Sequence, residues 1–167
     1  SGEIAVGDDV VVLPSEKVTR IKAIEIFGRS LPRAIAEQSV TLLLEDQVDT
    51  SRGDMIVKAG ESPQVTRRIE TMLCWFSESP LDRQRKYLIR QTTRETKAAL
   101  ETIEYRLDVN TLQQMPAERL GMNDIARVSF KLAQPLCVDA YAENRSTGAF
   151  IVIDETSNNT VGAGMIL

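Results

Sequence analysis

The run Ala149-Phe150-Ile151-Val152-Ile153 constrains this chain more than any other. β-Branched and aromatic side chains favour a strand, and successive side chains in a strand face opposite ways. Ala149, Ile151 and Ile153 therefore share one face, and Phe150 and Val152 the other. A strand that is apolar on both faces is expected to be covered on both, inside a barrel or sandwich, with all of 150–153 mostly buried. Ser146-Thr147-Gly148 reads as the turn before it and residues 156–159 as the turn after it. Residues 135–141 and 158–166 read as the flanking strands.

The rest of the chain repeats this grammar of short strands and frequent turns, at the roughly 8–12-residue spacing of an all-β sandwich or barrel. Residues 10–13, 18–27, 39–44 and 55–57 are strands separated by turns at Gly7-Asp8-Asp9, Pro14-Ser15-Glu16, Gly28-Arg29-Ser30 and Arg52-Gly53-Asp54. In 18–27 the apolar residues change parity between Ile21 and Ile24, which predicts a bulge or a change of covered face. Ala59-Gly60-Glu61-Ser62-Pro63 is small, polar and ends in proline, and is read as a short link between two domains. Beyond it, residues 65–76 form a long strand with Val65, Ile69, Leu73 and Trp75 on its buried side. Ile103, Tyr105, Leu107 and Val109 alternate with polar residues, as do Ala126, Val128, Phe130 and Leu132. Residues 110–123 form a loop with a helical turn expected after Pro116.

Composition removes several functions. The chain has 43% apolar residues but only 5% aromatic ones, so Val, Ile and Leu must fill most of the core. With no histidine, it lacks the commonest general base and metal ligand. Cys74 and Cys137 lie in apolar runs and read as buried, reduced thiols. Serine–histidine and cysteine–histidine catalysis are excluded, and no metal site is expected. A net charge of −4 argues against general nucleic-acid binding, which needs a basic face. No apolar run reaches the roughly 18 residues of a membrane span. Ser1-Gly2-Glu3 does not resemble a secretion signal, so a cytoplasmic location is expected. No glycine is followed by lysine, so no phosphate loop is present. Gly162-Ala163-Gly164 has no helix after it and reads as close packing in a final strand. No catalytic or cofactor-binding residue is assigned. Asp139 and Asp154 read as turn caps or as partners of Arg145.

One region is locally basic. Arg83, Arg85, Lys86, Arg90, Arg94 and Lys97 stand against Asp82 and Glu95. Arg83, Arg85, Lys86, Arg90 and Arg94, together with Arg145, are candidate contacts to a partner or a phosphate. The alternative is a solvated strand face, since long basic side chains commonly flank exposed strands.

Several motifs carry a family resemblance. Asn144-Arg145, Thr147-Gly148, Phe150-Ile151, Ile153-Asp154, Thr160 and Ala163-Gly164-Met165-Ile166 resemble the C-terminal barrel of the GTPase subunits of bacterial ATP sulfurylase (sulfate adenylyltransferase), a branch of the elongation-factor-Tu-like GTPases. Val6-Gly7-Asp8, Lys17-Val18-Thr19-Arg20-Ile21 and Arg52-Gly53-Asp54-Met55-Ile56 resemble the domain before it. The resemblance implies two antiparallel β-barrels in tandem: residues 1–60 as a domain-2-like barrel lacking its first strand, and 61–167 as a domain-3-like barrel. It implies a scaffold and coupling role in an enzyme in which GTP hydrolysis is coupled to making adenosine 5′-phosphosulfate from ATP and sulfate. The implied partners are a separate catalytic subunit and a GTPase domain that would hold GTP and magnesium; some members carry a fused adenylylsulfate kinase. By this reading the chain alone is inactive. The competing reading is the RNA-binding barrel pair of a translation-factor GTPase.

Overall fold

The computed structural model describes residues 2–167, and nearly every element in it is an antiparallel strand. The chain divides into two units, one ending at Pro63 and the other running over Gln64–Leu167.

The first unit contains β1 (Glu3–Ala5), β2 (Asp9–Leu13), β3 (Lys17–Ile26), β4 (Arg29–Leu31), β5 (Arg33–Ile35), β6 (Thr41–Leu44) and β7 (Met55–Lys58). Strand β3 is its spine. It pairs with β2 through its first half and with β4 and β6 through its second, while β7 extends the sheet beyond β2. The parity change foreseen in β3 is a bulge: the register with β6 shifts between Ile21 and Ala23, so Ile21 and Ile24 both point inward. Val10, Ile21, Ile24 and Ala34 form the buried centre. The separate β1–β5 ladder contributes Ile4 and Ala34 to it. The result is a curled, open sheet. Phe27, read as part of the strand, lies in the following turn at φ 48° and is fully exposed.

The second unit contains β8 (Gln64–Trp75), β9 (Tyr87–Gln91), β10 (Arg94–Leu107), β11 (Gln114–Met115), β12 (Ile125–Val138), a single helical turn α1 (Arg145–Gly148), β13 (Ala149–Asp154) and β14 (Thr160–Ile166). Its strands follow the order β11-β10-β12-β8-β14-β13-β9, and β9 pairs with β10. The ring β10-β12-β8-β14-β13-β9 is therefore closed, and β11 is appended to β10. Ile69, Thr71, Leu73 and Trp75 of β8 and Ala126, Val128, Phe130 and Leu132 of β12 point inward. Two edge-to-face aromatic pairs, Trp75–Tyr87 at 5.7 Å and Phe130–Phe150 at 6.4 Å, fill the barrel. Four of the eight aromatic residues thus sit in this one core.

Several expectations are corrected. Residues 135–141 are not a new strand beside β13. β12 continues through Pro135, and its register with β8 shifts between Lys131 and Leu136, at an irregularity where a residue without an N–H is tolerated. The turn at 146–148 is the helical turn α1, capped by Asn144, whose side chain accepts from the Ser146 N–H. No helical turn follows Pro116; residues 114–115 pair with β10 instead. β10 begins at Arg94 and ends at Leu107, leaving Val109 61% exposed. A bulge between Leu100 and Thr102 moves its inward positions from Thr96, Ala98 and Leu100 to Ile103. Val65 is exposed at the start of β8, and Ile151 is only half-buried, although Phe150, Val152 and Ile153 are buried as expected.

Candidate functional site

Two features of the second unit offer a surface for binding. The first lies on the outer wall of the barrel. Cross-strand registers align Arg90, Ile151, Ala163, Cys74 and Ile125 in one row over β9, β13, β14, β8 and β12. A second row aligns Ala149, Met165 and Met72. Small Ala149 and Ala163 sit low between the bulkier side chains, leaving an apolar groove of about 610 Å³. Met165 is 43% exposed within it. Partial burial pushes the Cys74 thiol pKa up, which favours its protonated form. A continuous exposed apolar surface of this kind suits contact with another protein surface.

The second feature is the polar end of the barrel where the loop 76–86 meets residues 118–120. The loop is pinned at several points. Trp75 Nε1 donates to the Ser79 carbonyl at 2.9 Å, and the Leu81 N–H donates to the Leu120 carbonyl at 2.9 Å. The Leu81 and Leu120 side chains are both buried, and the Asp82 N–H reaches the Tyr87 hydroxyl at 3.0 Å. This fixes Arg83, Arg85 and Arg119 around a cavity of about 530 Å³. Arg85 Nη1 also lies 3.4 Å from Asp154 Oδ2. Asp154 is buried, and its other oxygen accepts from the Thr156 N–H, the Ser157 N–H and the Ser157 hydroxyl. The Ser157 N–H, with further help from the Ser157 hydroxyl, Thr156 and Arg85, holds its pKa below the usual carboxylate value, against the opposing effect of burial.

The six basic residues singled out in the sequence do not share one surface. Arg83, Arg85 and Lys86 belong to the pinned loop. Arg90 is on the outer wall and pairs with Glu95 at 2.7 Å across the β9–β10 ladder. Arg94 opens β10. Arg145 lies in α1, 5.9 Å from the centre of the Tyr141 ring, rather than against Asp139 or Asp154. Asp139 instead accepts from Thr147 Oγ1 at 2.5 Å and Asn144 Nδ2 at 3.2 Å, tying down the loop before β13. Buried Gln91 reinforces that end by donating to the Cys137 and Thr147 carbonyls at 2.7 and 2.6 Å. Arg119 is the site residue that sequence reading missed. It sits in a loop with no periodicity, and only the Leu81–Leu120 contact brings it to Arg83. Among the described residues, no group of three or more Cys, Asp or Glu side chains converges on a metal position.

The model of the GTP-eEF1A C-terminal domain-like family matches residues 68–167. The chain belongs to this family. It is 45% identical over 167 residues to sulfate adenylyltransferase subunit 1 of Alteromonas mediterranea, covering 100% of this chain and 36% of that relative. It is 42% identical over 167 residues to the bifunctional enzyme CysN/CysC of Rhodopirellula baltica, covering 100% of this chain and 26% of the relative. The chain thus spans about a third of the length of the subunit 1 relatives it matches. Among solved structures, Sup35 complexed with GMPPNP is similar with a TM-score of 0.89 at 16% identity, covering 100% of this chain and 41% of that one. That likeness shows the shared fold. No helix among the described residues is long and apolar enough to cross a membrane.

Proposed function

We propose that this chain is the β-barrel scaffold and coupling region of the GTP-hydrolysing subunit of a sulfate adenylyltransferase. The observation that carries this reading is 45% identity spread over all 167 residues to a protein named as subunit 1 of that enzyme. In this reading a catalytic subunit joins ATP and sulfate into adenosine 5′-phosphosulfate in the cytoplasm. GTP and magnesium are held by a GTPase domain, and the two β units hold that domain against the catalytic subunit. Coupling requires that their contact free energy differ between nucleotide states. The closed second unit suits this work because a packed barrel transmits displacement instead of absorbing it. The chain contains no glycine followed by lysine and no histidine.

The competing reading is the RNA-binding barrel pair of a translation-factor GTPase. The net charge of −4 favours the protein-contact role over it. A pull-down with the tagged chain discriminates them: retention of the sulfate adenylyltransferase catalytic subunit is expected. Retention of aminoacyl-tRNA in its place would overturn the proposal.

A further inference from the structure

We propose that the cavity framed by Arg83, Arg85 and Arg119 binds a small multivalent phosphate- or sulfate-type oxyanion, free or as the exposed end of a larger ligand. Among the described residues, the side chains of Arg83 and Arg119 have no ion-pair or hydrogen-bond partner, as is also true of Arg29, Arg52 and Arg67, but Arg83 and Arg119 line the same cavity. An anion in this cavity is attracted by the guanidiniums of both Arg83 and Arg119, which line it. The planar guanidinium fork matches a tetrahedral oxyanion better than any other side chain.

The backbone that carries the arginines is pinned. Buried Leu81 and Leu120 lock the two loops together by a backbone hydrogen bond, two residues from Arg83 on one side and next to Arg119 on the other. The ordering of these loops is already part of folding, so binding does not bear that entropy again. Arg85 forms the wall shared with a second cavity of about 740 Å³, lined by Ser77, Thr156, Ser157 and Asn159, where hydroxyl and amide donors extend the polar surface. Its 3.4 Å contact with Asp154 is long for a charge-assisted bond, so the guanidinium keeps donors to offer. Two acids oppose the anion. Asp82 lines the cavity, but its Oδ1 accepts from the Gln84 N–H at 2.8 Å within its own turn. Glu118 lines it without such an engagement.

Isothermal titration of the 167-residue chain with inorganic pyrophosphate at fixed ionic strength tests this, with ATP as the second ligand. Saturable pyrophosphate binding is expected. Arg83→Gln with Arg119→Gln weakens it at least about tenfold, a difference well resolved by titration. Glu118→Gln tightens it, which a merely structural role for the loop would not produce. Arg52→Gln, an exposed arginine in the other unit, leaves it unchanged. Pyrophosphate binding with inert ATP assigns a free anion; competition by ATP assigns the phosphate end of a nucleotide. No saturable binding of either up to about 10 mM, a concentration that would detect even weak affinity, overturns the proposal. So does equal binding by a folded double variant.

Discussion

Gly164 shows how one residue sets the packing of the closed barrel. It lies directly across the ladder from Phe150, and a Cβ there would stand 2.6 Å from Phe150 Cε1 and 2.7 Å from Thr71 Oγ1. Phe150 cannot yield easily, because its ring is held edge-to-face against Phe130. Gly164→Ala is therefore expected to destabilise the second unit by about 1–3 kcal/mol, read as a lower urea midpoint. Sequence reasoning found this position as close packing in a last strand; which side chain fills the space was not legible, because strand pairing is non-local. Ile151 taught the opposite lesson. Its strand is apolar on both faces, which predicts full burial, yet Ile151 is half-buried on the outer wall opposite Arg90. Ile151→Asp should give a soluble, folded variant with a lowered melting temperature, whereas Phe150→Asp, placing an unpaired charge in the core, should not fold. Insoluble Ile151→Asp would show that the outer wall is covered after all. Asp154 adds a pH dependence. Its pKa is lower in the folded chain than in the unfolded one, so the stability it contributes is present above the ordinary carboxylate pKa of about 3.9 and lost as pH falls through the folded value. Thermal melts at decreasing pH should show a shallower acid loss for Asp154→Asn than for the parent.

At the scale of elements, alternation identified β8 and β12 because each keeps one parity inward over several residues. It failed where a bulge resets the parity, as in β10, or where the strand passes through proline, as at Pro135 in β12. The basic cluster was legible as composition but not as a site: β9 carries Arg90 onto the outer wall while the preceding loop keeps Arg83 and Arg85 at the barrel end. The two units also differ in how their edges are closed. Every strand of the six-membered ring has two neighbours, whereas β7 pairs only with β2 among the described residues. Unpaired edges and a small core open more readily. Amide hydrogen exchange is expected to be faster in β2, β3 and β6 than in β12, β13 and β14. Equal protection in a monomer would mean that the open sheet is as cooperative as the closed barrel.

For the molecule as a whole, fold and function separate. The Sup35 likeness at 16% identity shows that this architecture serves proteins with different sequences, so architecture alone does not give the role. The role is argued from identity along the whole chain to sulfate adenylyltransferase subunit 1. In the proposed role the chain would contribute position, through the pinned polar end and the apolar outer wall of its closed barrel. The most direct measurement places this chain into the Alteromonas mediterranea subunit 1 relative in place of its own matching region, and follows GTP-dependent formation of adenosine 5′-phosphosulfate with the catalytic subunit. The account predicts that synthesis is retained and remains coupled to GTP hydrolysis. A folded chimera that hydrolyses GTP but neither binds the catalytic subunit nor supports synthesis would contradict it.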